Sequence, residues 1–596
     1  MPCAFAVPVP VRTGISGRRP PMLCTALFAA VLAGCGGNGG DDDVYTGPIN
    51  LANAPASCAG LAGRAFAASV MGEPTSGAVV SAASYRQAVP DAPNATNTAV
   101  TLGTPEYCEV LVDIRPVDPA APVIKSQVNL PTQWNGRKLQ FGGAGYNGAL
   151  VTGVDASRNA PPDVARPLTQ GYLTAGTDSG HQNQAGVEAY AFALNDESLR
   201  NFGYAAYKKT HDVAVHLARA YYEKRPARSY YIGGSEGGRE GMMMAQRYPS
   251  DYDGIISIDP VMNWTGLQTF GNHVGGIVQS RPGAWLGGKT QLVHDTVTAA
   301  CDALDGIADQ VVSNYRACKP VADAALLARR CPSGADEGAS CFSDPQLETL
   351  RVVHGGYTFN FDLANGMRSY AGFGYGGEGL AGNWSNWMVG TAPPTAGPTA
   401  SGINQVYRFG NGYVRYFIAR DPNFNPLTYD PANFQARVLQ VSETMDATNP
   451  DLSAFYQRGG KLILREDLSD TAQSPYTGLN YWDAVVGRLG RATVDEFFAA
   501  YAATGLPHTS GGIAAGAANA PAYGIPGRVD LLPVLEGWVE RGVRPQAQYT
   551  LTNNLATAPF TATASKPMCR YPAWPRYVGG SPGGGASAAN YNCVTQ

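Results

Sequence analysis

Apolar positions along the chain change period several times, and each change predicts an element. Between residues 121 and 258, short apolar runs at 126–130, 138–141 and 172–175 read as strands. The stretch 201–223 places apolar residues at helical spacing, with His211 and His216 among them. A further apolar run at 229–232, a Met-rich helical pattern over 236–248 and a second run at 254–258 follow. Strand, helix and strand in that order predict a parallel sheet, because the crossover helix returns the chain to the same sheet edge. Upstream, residues 51–123 read as short strands and turns. Over 259–449 the pattern breaks into cysteine pairs, an Asp-rich loop and a Gly- and aromatic-rich stretch, and the sheet pattern resumes at 461–464 and near 497–503. The expected organisation is one α/β domain, 51–258 and 450–596, interrupted by an inserted domain at 259–449. A connection of that length is uncommon unless it has a task, such as covering a site. No internal repeat is visible.

The N-terminus adds a targeting segment. Arg12, Arg18 and Arg19 precede an apolar run at 22–33 that is too short for a permanent membrane helix. It ends in Leu32, Ala33, Gly34 and Cys35, which resembles the lipobox of bacterial lipoproteins, where the cysteine is lipidated. Residues 1–35 are thus expected to be a signal peptide with a lipobox, an ordinary cleaved signal being the alternative, and 36–50 a flexible tether. The expected destination is outside the cytoplasm, as an outer-membrane lipoprotein or a periplasmic or secreted protein. Membrane contact is expected only through lipid on Cys35.

Composition narrows the class. A formal net charge of −4 with no long basic run removes nucleic acid as a partner. With Cys3, Cys24 and Cys35 in the leader, the cysteines left are Cys58, Cys108, Cys301, Cys318, Cys331, Cys341, Cys569 and Cys593. An even set in an exported protein implies disulfides. Their clustering favours sequence neighbours: 58 with 108, 301 with 318, 331 with 341 and 569 with 593. Zinc is a poor alternative, since no C-x-x-C pair occurs.

The candidate chemistry centres on Gly233, Gly234, Ser235, Glu236 and Gly237, a G-x-S-x-G run between an apolar strand and a helix. A serine hydroxyl is a weak nucleophile at neutral pH and needs a base, an acid orienting that base, and N–H donors for the oxyanion. In an α/β-hydrolase the serine sits on a tight strand-to-helix turn, and its partners follow in the order acid, then histidine. His508 is the only histidine after residue 354. Asp470 lies just beyond the strand-like 461–464, with Glu466 and Asp467 as competitors. The oxyanion donors expected are the N–H of Glu236 and one from the glycine loop 142–148, whose rival reading as a phosphate cradle lacks a P-loop lysine.

These residues resemble the tannase and feruloyl esterase family. The resemblance spans most of the mature chain and rests on Trp134 to Arg137 with the glycine loop after it, Thr177-Asp-Ser-Gly-His181, Gly234-Ser-Glu-Gly-Gly-Arg-Glu-Gly-Met242, Tyr252-Asp-Gly254, Cys301-Asp-Ala-Leu-Asp-Gly-Ile-Ala-Asp309, and Gly459 to Lys461 leading to Asp470. It implies an α/β-hydrolase fold with a large inserted lid. It assigns Ser235 as nucleophile, Asp470 as acid and His508 as base, with Gly145 and Glu236 as oxyanion donors. It also implies a structural calcium in the lid, on the carboxylates of Asp302, Asp305 and Asp309 and the carbonyls of Ile307 and Val311. An all-oxygen set on a tight loop suits that hard cation. No organic cofactor is implied. Many members carry cysteines directly before the serine and directly after the histidine, joined as a bridge; here those positions are Gly234 and Thr509.

The resemblance implies aromatic acid esters of feruloyl, galloyl or terephthalate half-ester type as substrates. Tyr370, Phe373, Tyr375, Trp384, Trp387, Tyr407, Phe409, Tyr413, Tyr416 and Phe417 in the insertion could stack such a group, although most are expected to be core. A substrate carboxylate would need an arginine, for which Arg408 and Arg415 are the lid candidates. Two other readings keep the same loop and lid: an inactive ligand-binding lipoprotein of hydrolase fold, and an acyltransferase.

Overall fold

The computed structural model describes residues 43–93, 100–281, 283–392 and 402–595. The expected signal peptide, Cys35 and most of the tether lie outside the described residues. The frame is a twelve-stranded mixed sheet. In chain order its strands are β1 (Ala65–Phe66), β2 (Ala78–Arg86), β3 (Tyr107–Ile114), β4 (Ile124–Pro131), β5 (Arg137–Phe141), β6 (Leu173–Thr177), β7 (Arg228–Gly234), β8 (Gly254–Ile258), β9 (Lys461–Asp467), β10 (Phe498–Ala503), β11 (Gln548–Asn554) and β12 (Ala562–Arg570). They lie side by side as β11-β12-β10-β9-β8-β7-β5-β6-β4-β3-β2-β1.

The middle of the sheet, from β10 through β9, β8, β7 and β5 to β6, is parallel. Every residue of β6, β8 and β10 is buried, which is why these strands read as continuous apolar runs rather than alternating ones. Helices α1 (Ala206–Tyr222) and α2 (Glu236–Arg247) supply crossovers, as the period change in the sequence predicts. The helical pattern beginning at residue 201 opens as a π-helical turn, Asn201–Ala205.

The flanks depart from expectation. Residues 51–123 are not merely short strands and turns, because β2 and β3 pair antiparallel along eight or more residues and extend the sheet through β4. Strand β3 alternates buried and partly buried positions, the signature of a sheet covered mainly on one face. On the opposite flank, β11 and β12 form an antiparallel hairpin that joins β10. All four neighbour disulfides are present: Cys58–Cys108, Cys301–Cys318, Cys331–Cys341 and Cys569–Cys593. Cys108 and Cys569 lie on β3 and β12, so one bridge fastens each antiparallel flank.

Strands β8 and β9 are parallel neighbours, yet the chain leaves the sheet at Ile258 and returns at Lys461. The intervening segment is mainly helical, and two of its helices matter for the site: α3 (Trp264–Ser280) and α4 (Gln405–Gly412). They pack in close contact: a Cβ at Gly275 would strike the Tyr407 ring, and one at Gly271 would strike the Val406 carbonyl. Among the described residues no helix is long and apolar enough to cross a membrane.

Candidate active site

Three strand ends deliver the site. Ser235 follows β7, Asp470 follows β9 and His508 follows β10, all at the carboxyl edge of the parallel block, where side chains from separate strands converge. The loops after β9 and β10 are tied by Leu468 N to Ala503 O at 2.8 Å and Ser469 N to Leu506 O at 3.0 Å.

The backbone at Ser235 adopts φ 60° and ψ −125°, a conformation rarely held by a side-chain-bearing residue. The turn is tight enough that its neighbours must be glycine. A Cβ on Gly233 would collide with the Gly237 carbonyl, and one on Gly237 would lie 2.6 Å from Gly143 O. The strain projects Oγ towards His508, whose Nε2 is 2.7 Å away, while His508 Nδ1 is 2.6 Å from Asp470 Oδ2. Asp470 is buried and its other oxygen accepts the N–H groups of Ala472 and Gln473, at 2.7 and 3.0 Å. The competing acids are engaged elsewhere. Glu466 accepts from Gln473 Nε2, and Asp467 accepts from Arg465 Nε and from Ser510 N.

The glycine loop lies against the same turn, with Gly237 N donating to Gly143 O at 3.1 Å. Buried Glu240 holds this loop from beneath, accepting from Gly143 N, Asn147 Nδ2 and the Tyr231 hydroxyl. His181 holds it from the side, through a contact of 3.1 Å to the Tyr146 carbonyl. Burial depresses His181 to about 4, so it stays neutral at physiological pH. Gly145 and Glu236 both border the cavity at Ser235, and neither N–H donates to a protein acceptor among the described residues. The Glu236 side chain turns away to a buried pair with Arg239 at 2.6 Å, and burial pushes its carboxyl up to about 7.

Where the family's bridge would stand, this chain has a different connection. A Cβ on Gly234 would lie 3.2 Å from Thr509 Cγ2, so the two positions do face each other, and 2.9 Å from Arg158 Nε. Arg158 donates to Thr509 Oγ1 at 2.7 Å. Thr509 N donates to Asp259 Oδ2 at 2.6 Å, and Asp259 Oδ1 accepts from Asp467 N at 2.6 Å. The histidine loop is therefore held by Arg158 on one side and a buried Asp259–Asp467–Arg465 cluster on the other.

Ser235 opens into a narrow cavity that is partly open to solvent. Its floor is Gly145, Tyr146, Ser235, Glu236, Ala472 and His508, and its roof is Val261, Trp264, Leu267, Gln268, Trp387, Val406 and Phe409 from the insertion. Of the ten aromatic residues singled out in the sequence, only Trp387 and Phe409 line it; Tyr370, Phe373, Tyr375 and Trp384 fill one buried cluster, Tyr413, Tyr416 and Phe417 another, and Tyr407 is buried against Gly275 of α3. The lining does not include Arg408 or Arg415, and Arg415 is spent on the Pro422 carbonyl and on Glu188. Sequence reading missed Trp264, Leu267 and Gln268, whose one signal was their spacing along a single helix face.

Asp302, Asp305 and Asp309 lie in a buried turn closed by the Cys301–Cys318 bridge, without all three carboxylates drawn together within 4.8 Å of one another. Backbone N–H groups of residues 307, 309, 310, 311 and 313 point at their carboxylates. The Tyr523 and Tyr591 hydroxyls donate to Asp309, and Lys566 Nζ is 3.7 Å from it. Burial raises Asp302 and pushes Asp305 up to about 6. The Ile307 and Val311 carbonyls accept no hydrogen bond among the described residues.

The model of the tannase and feruloyl esterase family matches residues 108–594. The chain belongs to that family. It is 34% identical over 549 residues to an uncharacterised esterase of Agrobacterium fabrum, covering 91% of this chain and 94% of the relative. It is 30% identical over 572 residues to the mono(2-hydroxyethyl) terephthalate hydrolase of Piscinibacter sakaiensis, covering 87% and 89%. Feruloyl esterase B from Aspergillus oryzae superposes with a TM-score of 0.70 at 22% identity, over 91% of this chain and 100% of the other, which speaks to the fold. The family member described here is a carboxylic ester hydrolase of α/β-hydrolase type.

Proposed function

We propose that this esterase cleaves neutral or charged esters of aromatic carboxylic acids through an acyl-serine intermediate. Ser235 Oγ bonds to the ester carbonyl carbon as its proton passes to His508 Nε2. The carbonyl electrons move onto oxygen, which the Gly145 and Glu236 N–H groups receive. Collapse of that oxyanion breaks the bond to the alcohol, which leaves with the proton from His508. Water repeats the cycle on the acyl-serine and releases the acid. Asp470 keeps the Nδ1 proton in place and stabilises the imidazolium. The observation that carries this reading is the unbroken Asp470–His508–Ser235 chain, at 2.6 and 2.7 Å, opening into an aromatic-walled cavity. The aromatic preference draws further support from relatives named for feruloyl and terephthalate esters.

The test uses a serine-directed phosphonate with the purified chain, followed by mass analysis and by assay of Ser235→Ala. Labelling at Ser235, and turnover lower by roughly a thousandfold or more in the variant, are expected. Labelling elsewhere with near wild-type turnover in Ser235→Ala would sink the assignment.

Calcium in the 302–311 turn belongs to the same proposal. Three buried carboxylates and two uncommitted carbonyls form a donor set of oxygens only, which fits a hard cation. Bound there, the ion would neutralise the carboxylates and brace the insertion, with no part in the chemistry at Ser235. Export with lipidation of Cys35 rests on the sequence of the leader alone; mass analysis of the mature N-terminus in a bacterial host tests it, and an unmodified N-terminus downstream of Cys35 would reject lipidation.

A further inference from the structure

The segment 370–387 of the insertion reaches past the roof to the loop that carries Asp470. The Tyr370 hydroxyl accepts from Ser474 N at 2.7 Å, and Ser474 Oγ donates to Gly372 O at 2.7 Å. Gly377, at φ 86°, comes so close that a Cβ on it would stand 2.8 Å from Ser469 Cβ. The same segment supplies Asn383, which is buried. Its Nδ2 donates to Ser469 O at 3.0 Å and to Gly377 O at 2.9 Å, and its Oδ1 accepts from the Thr471 hydroxyl. One carboxamide of the insertion therefore grips the residues on both sides of Asp470.

Local structure offers Asn383 a different use. It stands at the N-cap of the helical turn Trp384–Trp387, where an asparagine side chain ordinarily accepts an N–H group of the first turn. Here it makes no such bond, and both ends of the amide reach residues 86 and 88 positions away instead. Two carbonyls beside Nδ2 fix the orientation of the amide, since a carbonyl only accepts. The same turn ends at Trp387, whose ring lines the cavity and meets the His508 ring edge-on at 5.8 Å. Asn383 thus joins the acid loop to the part of the roof that touches the base. Asp470 itself takes two side-chain bonds from its own loop, at Ala472 N and Gln473 N, and these would travel with the loop if it shifted. Apart from the bond to His508, the hydrogen bonds that reach 469–471 from distant parts of the chain, among the described residues, are Ser469 N to Leu506 O and the two from Asn383.

We infer that Asn383 is a positioning residue for the esterase reaction: it holds the Asp470 carboxylate in register with His508 Nδ1, so the insertion completes the catalytic machinery as well as covering it. This rests on the reading of Ser235, His508 and Asp470 given above and deepens it. A displacement of about 1 Å in a reacting geometry can cost about a hundredfold in rate, even when the change lies away from the chemistry. Loss of the amide would also leave the Ser469 carbonyl buried without its donor, which favours a shifted loop.

The test is a double-mutant cycle on the purified chain with 4-nitrophenyl butyrate, crossing Asn383→Leu with Asp470→Asn. Leucine fills a similar volume and removes both hydrogen bonds. In the wild-type background kcat should fall roughly tenfold to a hundredfold, with KM changed by less than about twofold. In the Asp470→Asn background the same substitution should cost less than about twofold, because the carboxylate it positions is already gone. A residue that merely stabilised the fold would cost the same factor in both backgrounds. Thr471→Val, which exchanges one hydroxyl for a methyl, is crossed in the same way with an expected loss of about threefold to tenfold, and it decides the matter if Asn383→Leu does not fold. Equal losses in the two backgrounds, a wild-type kcat in the variant, or an effect confined to KM would overturn the assignment. A wild-type kcat in Asp470→Asn alone would overturn the reading of the triad itself, a separate outcome.

Discussion

The floor and the roof of the cavity are built on opposite principles. The floor comes from the parallel sheet, and its side chains are held in hydrogen-bonded chains: Asp470 is fixed by two backbone N–H groups, and Glu240 and His181 clamp the glycine loop. The roof comes from an insertion between adjacent strands and is mainly apolar. The difference separates two tasks. Bond making needs donors and acceptors placed before the substrate arrives, because reorganising them during the reaction would raise the barrier. Selection needs a shape that the bound group fills, which an apolar wall supplies.

The largest test of this division is on the floor. Asp470→Asn keeps the shape of the acid but reverses the demand on His508 Nδ1, so kcat should fall roughly a thousandfold to ten-thousandfold. The melting temperature should move little. A variant that retained near wild-type turnover would show that the floor does not work through Asp470.

An intermediate effect is expected from metal removal, which acts on the insertion. If calcium fills the Asp302–Asp305–Asp309 turn, chelation should lower stability by about 3 kcal/mol when the free ion stands near a hundred times its Kd. Thermal unfolding with and without chelator, alongside metal analysis of the protein as isolated, reads this directly. No bound calcium and an unchanged melting temperature would remove the ion from the account, leaving Lys566 as the charge partner of Asp309.

The smallest effect concerns how the floor is fastened. Arg158 spans the gap between Gly234 and Thr509, so Arg158→Met should loosen the His508 loop and lower kcat by roughly threefold to tenfold, with KM little changed. Adding Gly234→Cys and Thr509→Cys to that variant places two Cβ atoms within reach of a bridge once the guanidinium is gone. The oxidised form should recover part of the lost kcat and the reduced form should not. An unaltered kcat in Arg158→Met would mean that Asp259 alone holds the loop through Thr509 N.

Much of the floor was legible in the sequence for local reasons. The turn at Ser235 needs small neighbours on both sides, so Gly233 and Gly237 mark it within five residues. The order of serine, acid and histidine then leaves His508 as the natural base, and the structure seats it between Ser235 and Asp470. Disulfide partners were readable because each cysteine pairs with a near neighbour, at separations of 10 to 50 residues. The antiparallel flanks were less legible. Strand β3 alternates its burial, and half-covered strands carry a weaker apolar signal than the buried parallel ones.

What the sequence by itself determined is the parallel core, its interruption after residue 258, the strained serine turn and the chain order of Ser235, Asp470 and His508. These follow from hydrophobic period, glycine placement and chain order, all of which act over short stretches or along one direction. Only the tertiary structure decided which aromatic residues reach the cavity, that Arg408 and Arg415 are not among its lining, and that Trp264 and Gln268 are. It also decided that Arg158 and Asp259 stand where a bridge would otherwise join Gly234 to Thr509. Such contacts join residues up to 351 positions apart, as Arg158 to Thr509 does. Their energies depend on burial and on which polar groups find partners, and no local pattern of residues encodes that pairing.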